Sequence, residues 1–337
     1  MTRIAHCFVA AAVALSACRR VEEPPGQLRL AASASAATPA PSLPPLPTRL
    51  EVSELLTLPS SPYQAALFVD GEVIELLAGT AAYRLIPGKP PLRTELDLGF
   101  AATVTRQAYV YWSKGAIWSA ERAGSGSAAP KLLVRVAEQP QRLVANAAGT
   151  ELAWLEHFAG SRYAIAKRDG NVAKRLYTSS GSIDALVLSE DVAFFVERPS
   201  SAGWRVGRLA LDTGAATFTA ESTGRWPAML GAARELFYYA GSRREVVSLS
   251  LDLQREHVLA KDFVCSPLVA ASQVYCANLD GIFELTASGA PRQLVAGSRR
   301  VVASLAADER RLAFVSDVGQ HGQDRLSVSV VALDAGR

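Results

Sequence analysis

The side chains best placed for chemistry in this sequence are two cysteines, Cys265 and Cys276, close together and far from the other two, Cys7 and Cys18. An even pair suits one disulfide in an oxidising compartment. Two buried free thiols are the alternative. No histidine or third cysteine stands at a ligand spacing, and two thiolates alone hold zinc poorly, so no metal and no cofactor is expected. His157, His257 and His321 are scattered and belong to no motif. No nucleophile elbow, HExxH pair, phosphate-binding loop or dinucleotide fingerprint is present. Residues 317–324 (DVGQHGQD) carry two carboxylates but not the alternating acidic spacing that calcium needs, and read as a long hairpin loop. Glu156, Glu197 and Asp317 each close an apolar run. Paired carboxylates perform acid–base work on glycosides; solvated strand ends are the plainer reading.

The elements that must position these residues are strands. Seven apolar phrases recur at intervals of about 40 residues, the period of a propeller blade. Their third positions are Phe68, Trp112, Trp154, Phe194, Tyr238, Cys276 and Phe314. Each phrase is read as the second strand of a four-stranded unit, with turn signals such as Asp169-Gly170 and Asp280-Gly281 between strands. The second strands are apolar on both faces, as strands sandwiched between neighbouring sheets must be. The fold expected is therefore all-β: a seven-bladed β-propeller of four-stranded antiparallel blades. The last phrase lacks its outermost strand, and residues 49–56 (RLEVSELL) are the candidate to supply it, so that an N-terminal strand closes the last blade. Cys276 then takes a slot held by an aromatic elsewhere, and a bridge to Cys265 contributes about 3 kcal/mol by restricting the unfolded chain.

The chain has 337 residues, 49% of them apolar, which is enough for a sizeable core. Lys plus Arg number 35 against 32 Asp plus Glu, a near-balance that argues against a nucleic-acid partner. With four His and two Met among abundant Ala, Arg and Leu, the composition looks like that of a high-GC bacterial genome.

Residues 1–17 combine a short basic start with an apolar run too short to span a bilayer. The run ends in Leu15-Ser16-Ala17-Cys18, which resembles the bacterial lipoprotein signal in all four positions. An ordinary signal peptide with a chance cysteine is the alternative. The resemblance implies cleavage before Cys18, acylation there, and a membrane partner engaged through the lipid. Arg19 stands where Asp would favour the inner membrane, so the resemblance implies an outer-membrane lipoprotein. Residues 18–48 are rich in Pro, Ala and Ser and read as a disordered tether, with the propeller domain at 49–337.

Residues 304–317 (SLAADERRLAFVSD) are similar to the TolB-type, WD40-like propeller repeat. Residues 110–118 (VYWSKGAIW) and 274–285 (VYCANLDGIFEL) resemble a phrase of secreted propeller proteins of myxobacteria. The Gly-His and Trp-Asp pairs of true WD40 domains are missing. Propellers host many unrelated activities, so the resemblance implies a fold and leaves function to the site. The second-to-third-strand loops and the blade connections share one face. They carry Phe158, Arg162, Arg225, Trp226, Arg243, Arg244, Arg299 and Arg300, types enriched at interface hot spots. The expectation is a monomeric, non-enzymatic platform for a protein or cell-wall partner. The alternative is a lyase or hydrolase of polysaccharide working at the channel mouth, and a bare spacer is a third reading.

Overall fold

The computed structural model describes residues 50–333 apart from 60–65, 99–100, 123–128, 147, 159–161, 180, 200, 202, 225–226, 228–229, 287–289, 298–301 and 318–324. The segments read as signal peptide and tether lie outside the described residues.

Seven antiparallel sheets make a seven-bladed β-propeller, and no helix occurs among the described residues. From the inside outwards, blade one is Ala66–Asp70, Val73–Ala78, Ala81–Leu85 and Leu92–Glu95. Blade two is Ala102–Val104, Ala108–Ser113, Ala116–Glu121 and Lys131–Arg135. Blade three is Pro140–Ala145, Leu152–Phe158, Arg162–Asp169 and Val172–Ser179. Blade four is Ser182–Ser189, Val192–Arg198, Gly203–Ala210 and Ala216–Phe218, with Ser222–Thr223 adding a short extra pairing to its third strand. Blade five is Leu230–Ala232, Leu236–Ala240, Glu245–Leu249 and Glu256–Ala260, and blade six is Leu268–Ala270, Val274–Asn278, Gly281–Leu285 and Arg292–Ala296. Blade seven is Val302–Ala307, Arg311–Asp317 and Arg325–Ala332, and its outermost strand is Val52–Pro59.

The ring is thus closed by the N-terminal strand. Its pairing runs from Val52 opposite Val331 to Pro59 opposite Arg325. The strand sits three residues later than the sequence suggested, because Leu56 and Leu58, together with Leu55 beside a register shift, are the apolar residues that reach the core. A second correction concerns blade one. Ala66–Asp70, read as a second strand, is the innermost one, and Val73–Ala78 takes the second position. Two apolar runs flank a tight turn here, with Gly71 at φ 59°, and hydropathy alone does not rank them. Phe68 therefore does not share the slot of Trp112 and its counterparts.

The core is layered. Each gap between adjacent blades holds its own apolar cluster. Phe194, Trp204, Leu236 and Tyr238 fill the gap between blades four and five, and Ile74, Leu76, Val315 and Val328 fill the closing gap between seven and one. A second strand feeds both of its gaps: Trp154 faces blade two while Leu155 faces blade four. That is why these runs show no polar alternation. Trp154 is fully buried, and truncating such a side chain costs about 3–5 kcal/mol. Gly207 is part of the same fit, since any Cβ there would strike the Phe195 ring across the ladder.

Cys265 lies just before the inner strand of blade six and Cys276 on the second strand, with Cα atoms 5.4 Å apart and sulfurs at bonding distance. Both are buried in the gap shared with blade five, packed with Val246, Leu268 and Leu285. The disulfide-capable pair therefore stands where five of the other six blades place an aromatic.

Candidate functional site

On the face where second strands end, buried glutamates draw arginine and hydroxyl or indole donors around them. Trp154 Nε1 donates to Glu156 Oε1 at 2.8 Å, and Arg175 donates to Oε2 through Nε (3.1 Å) and Nη2 (2.8 Å). The Arg175 guanidinium also lies 4.5 Å from the centre of the Phe158 ring. Glu197 accepts from Tyr177 Oη at 2.6 Å, from Ser179 Oγ, and from Arg205 Nε at 2.8 Å. On blade five Tyr238 Oη and Arg243 Nη2 donate to Glu256, an exposed residue of the outer strand, at 3.0 and 2.9 Å. Burial, reinforced by the neighbouring carboxylate, pushes the Tyr177 hydroxyl up to about 12 and that of Tyr238 higher still. Glu156 and Glu197, read as ends of second strands, lie one or two residues inside those ends and are not solvated. They are buried acceptors that tie strands together. Asp317 is exposed at the end of its strand.

The rim residues fall into separate pairs. Phe158 and Arg162 are cross-strand partners on blade three, and Arg162 is exposed with no ion pair among the described residues. Arg243 and Arg244 occupy the tight turn of blade five. Arg243 is engaged by Glu245 at 3.1 Å and Glu256 at 2.9 Å, and Arg244 by the Asp262 carbonyl at 3.4 Å. Blade four separates the two pairs, so the structure does not gather them into one patch. Arg225, Trp226, Arg299 and Arg300 lie outside the described residues, as does His321. His157 stacks on Tyr163 at 4.6 Å, and His257 is exposed on an outer strand. Among the described residues no three His, Cys, Asp or Glu side chains converge as a metal set.

The channel mouth holds what sequence reasoning missed. The inner strands of blades three, four and seven each slip register at the end nearest this face, between Pro140 and Arg142, Ile183 and Ala185, and Val302 and Ser304. A bulge bends its strand and re-aims side chains. Asp184 is the extra residue in blade four. Arg198 grips it with Nε to Oδ2 at 2.6 Å and Nη2 to Oδ1 at 3.3 Å, and Ser182 Oγ stands 3.4 Å from Oδ2. The side chain of Arg142, which follows the extra Gln141 in blade three, makes no hydrogen bond and no ion pair with a described residue. Burial pushes its guanidinium below the ordinary range, and the charge of Asp184 opposes that shift. The available signal was a charged residue inside an inner strand: Arg142 among Leu143, Val144 and Ala145, and Asp184 among Ile183, Ala185 and Leu186.

The opposite face carries clefts between blades. The cleft between blades one and two, about 630 Å³, is lined by Arg84, Arg106, Arg122 and Lys131 with Asp70 and Glu121. Those between blades four and five and between six and seven are of about 750 and 660 Å³.

No protein-family model matches the chain, and no curated protein matches it. Solved structures are similar in fold. An oligogalacturonate lyase in complex with manganese superposes with a TM-score of 0.58 at 14% identity, covering 85% of this chain and 98% of that one. An oligogalacturonate lyase from Vibrio parahaemolyticus superposes with a TM-score of 0.56 at 11% identity, covering 84% and 98%. At these identities the likeness is one of fold.

Proposed function

We propose that this chain is a non-enzymatic binding platform of the bacterial cell envelope. In this reading Cys18 carries a lipid anchor, residues 18–48 form the tether, and the propeller engages a protein or cell-wall partner. The anchor is inferred from the lipoprotein-like signal, and an oxidising compartment agrees with the disulfide-capable Cys265–Cys276 pair. One observation supports binding over catalysis most directly. Two of the three carboxylates weighed for acid–base work, Glu156 and Glu197, are buried with both oxygens engaged by donors, while Asp317 is exposed. A general acid or base needs a free position towards its substrate. Beside them the rim presents Arg162 outward, next to Phe158.

The alternative is a polysaccharide lyase or hydrolase at the channel mouth, favoured by the fold likeness to the oligogalacturonate lyases. A pull-down from crosslinked envelopes separates the readings. A partner captured by the wild-type chain, and lost when Arg162 and Phe158 are both changed to Ala, is the expected result. Recovering no partner, together with release of unsaturated products from an acidic polysaccharide, sinks the platform in favour of the enzyme. A Cys18→Ala variant is expected to leave the membrane fraction; retention there refutes the anchor.

A further inference from the structure

We propose that the channel mouth between blades three and four is an anion-binding site, in which Arg142 takes a carboxylate or phosphate group of the ligand. This names the chemistry of what the platform holds and so rests on the platform reading.

The argument is one of unmatched charge. The guanidinium groups of Arg122, Arg175, Arg198 and Arg205 are each held by a carboxylate within 3.4 Å or closer. Arg142 is half-buried and has none among the described residues. The acid whose charge acts on it, Asp184, already receives Arg198 on both oxygens. Two cations therefore share one anion at the mouth. A cation partly withdrawn from water without an acceptor is destabilising, and an incoming anion relieves that penalty. Guanidinium is planar and offers parallel donors, so a carboxylate or phosphate is the matching partner. The backbone agrees: register slips at Gln141 and Asp184 bring two adjacent inner strands to a bend at the same end of the channel. Gln141 is exposed there and adds an amide donor.

The test uses the full mature chain purified in detergent, with glucuronate, inorganic phosphate, glucose and chloride as probes at matched ionic strength. Calorimetric titration and thermal shift are read for wild type and Arg142→Gln. Wild type is expected to bind glucuronate or phosphate and not glucose, with the preferred anion distinguishing a uronate from a phosphate source. Arg142→Gln is expected to bind about tenfold more weakly or worse, since a charge-assisted hydrogen bond is worth more than a factor of ten, while keeping its own thermal midpoint. Equal shifts with chloride, undiminished binding by Arg142→Gln, or no anion binding by wild type each overturn the site. The platform fails separately: if the pull-down recovers no partner while anion binding is lost in Arg142→Gln, the site stands and the platform falls. If Arg142→Gln captures the partner and binds anions as wild type does, the platform stands and the site falls.

Discussion

Arg122 and Arg142 are the same side chain in two settings. Arg122 directly follows the third strand of blade two on the cleft-bearing face and is 7% exposed. It donates Nε to Glu75 at 3.3 Å and Nη1 to the carbonyls of Thr105 and Arg106 at 2.8 and 2.9 Å, and its guanidinium lies 5.2 Å from the centre of the Phe68 ring. Glu75, fully buried, also accepts from Tyr109 Oη at 2.6 Å, so the network spans blades one and two. Arg142, at the channel mouth, has no such acceptors among the described residues. A withdrawn arginine ringed by acceptors is a brace between blades. One left without them is a site waiting for an acceptor. The partners tell the two apart, since the residue type is the same.

The largest effect should come from breaking the brace. Arg122→Met leaves the buried Glu75 carboxylate with only the more distant Arg84, 3.9 Å away, as its cation and is expected to lose about 3–5 kcal/mol in chemical denaturation. A loss below about 1 kcal/mol would show that the network carries no more than a surface pair does.

Next in size is the response to alkali. The hydroxyls of Tyr109 and Tyr238 are pushed well up, first by burial and then by the carboxylates they touch, and Tyr177 is pushed up to about 12. The unfolded chain ionises its tyrosines near pH 10. Below that pH neither state ionises and the stabilisation is complete. As pH rises through 10 towards 12 the unfolded state gains by releasing protons and stability falls. Unfolding and tyrosinate absorbance should therefore rise together in that window. Tyrosinate formation that precedes unfolding would contradict it.

Smaller again is Tyr109→Phe, which leaves one Glu75 oxygen short of a donor and should cost about 1–3 kcal/mol at neutral pH. The same variant should lose stability less steeply above pH 10, because one reluctant hydroxyl is gone; an unchanged slope would remove Tyr109 from the alkaline response. The smallest effect belongs to Arg142→Met. Its stability should stay within about 0.5 kcal/mol of wild type or rise above it. A loss matching that of Arg122→Met would erase the distinction between brace and site.

The blades were legible in the sequence because their second strands are buried on both sides, which turns hydropathy into a repeating mark. Trp154 and Phe194 announce themselves in this way. The closing strand was legible too, though three residues out of register, since the count of strands in blade seven demanded it. Blade one misled because Ala66–Asp70 and Val73–Ala78 are both largely apolar, so the mark fell on the wrong member of the pair. The channel mouth was illegible for a different reason. Arg142 and Asp184 come from separate blades, and register slips decide where each points. Strand alternation carries no trace of a slip. Glu75, a carboxylate inside Val73–Ala78, was the visible sign of the brace.

The closing strand has a consequence in time. The side chains of Glu54 and Ser327 meet at 2.9 Å although 273 residues separate them. The chain is made from its N-terminus, so the first of the described strands to emerge is the last to find its partner. Until Arg325–Ala332 arrives, the eight residues Val52–Pro59 and the unfinished seventh blade both present open hydrogen-bonding edges. Contacts of such sequence separation form slowly, because the loop must close before any pairing rewards it. A chain interrupted just short of its last strand therefore lacks more than one strand: it leaves its beginning without a partner as well, which makes arrival of residues 325–332 the checkpoint for the whole ring.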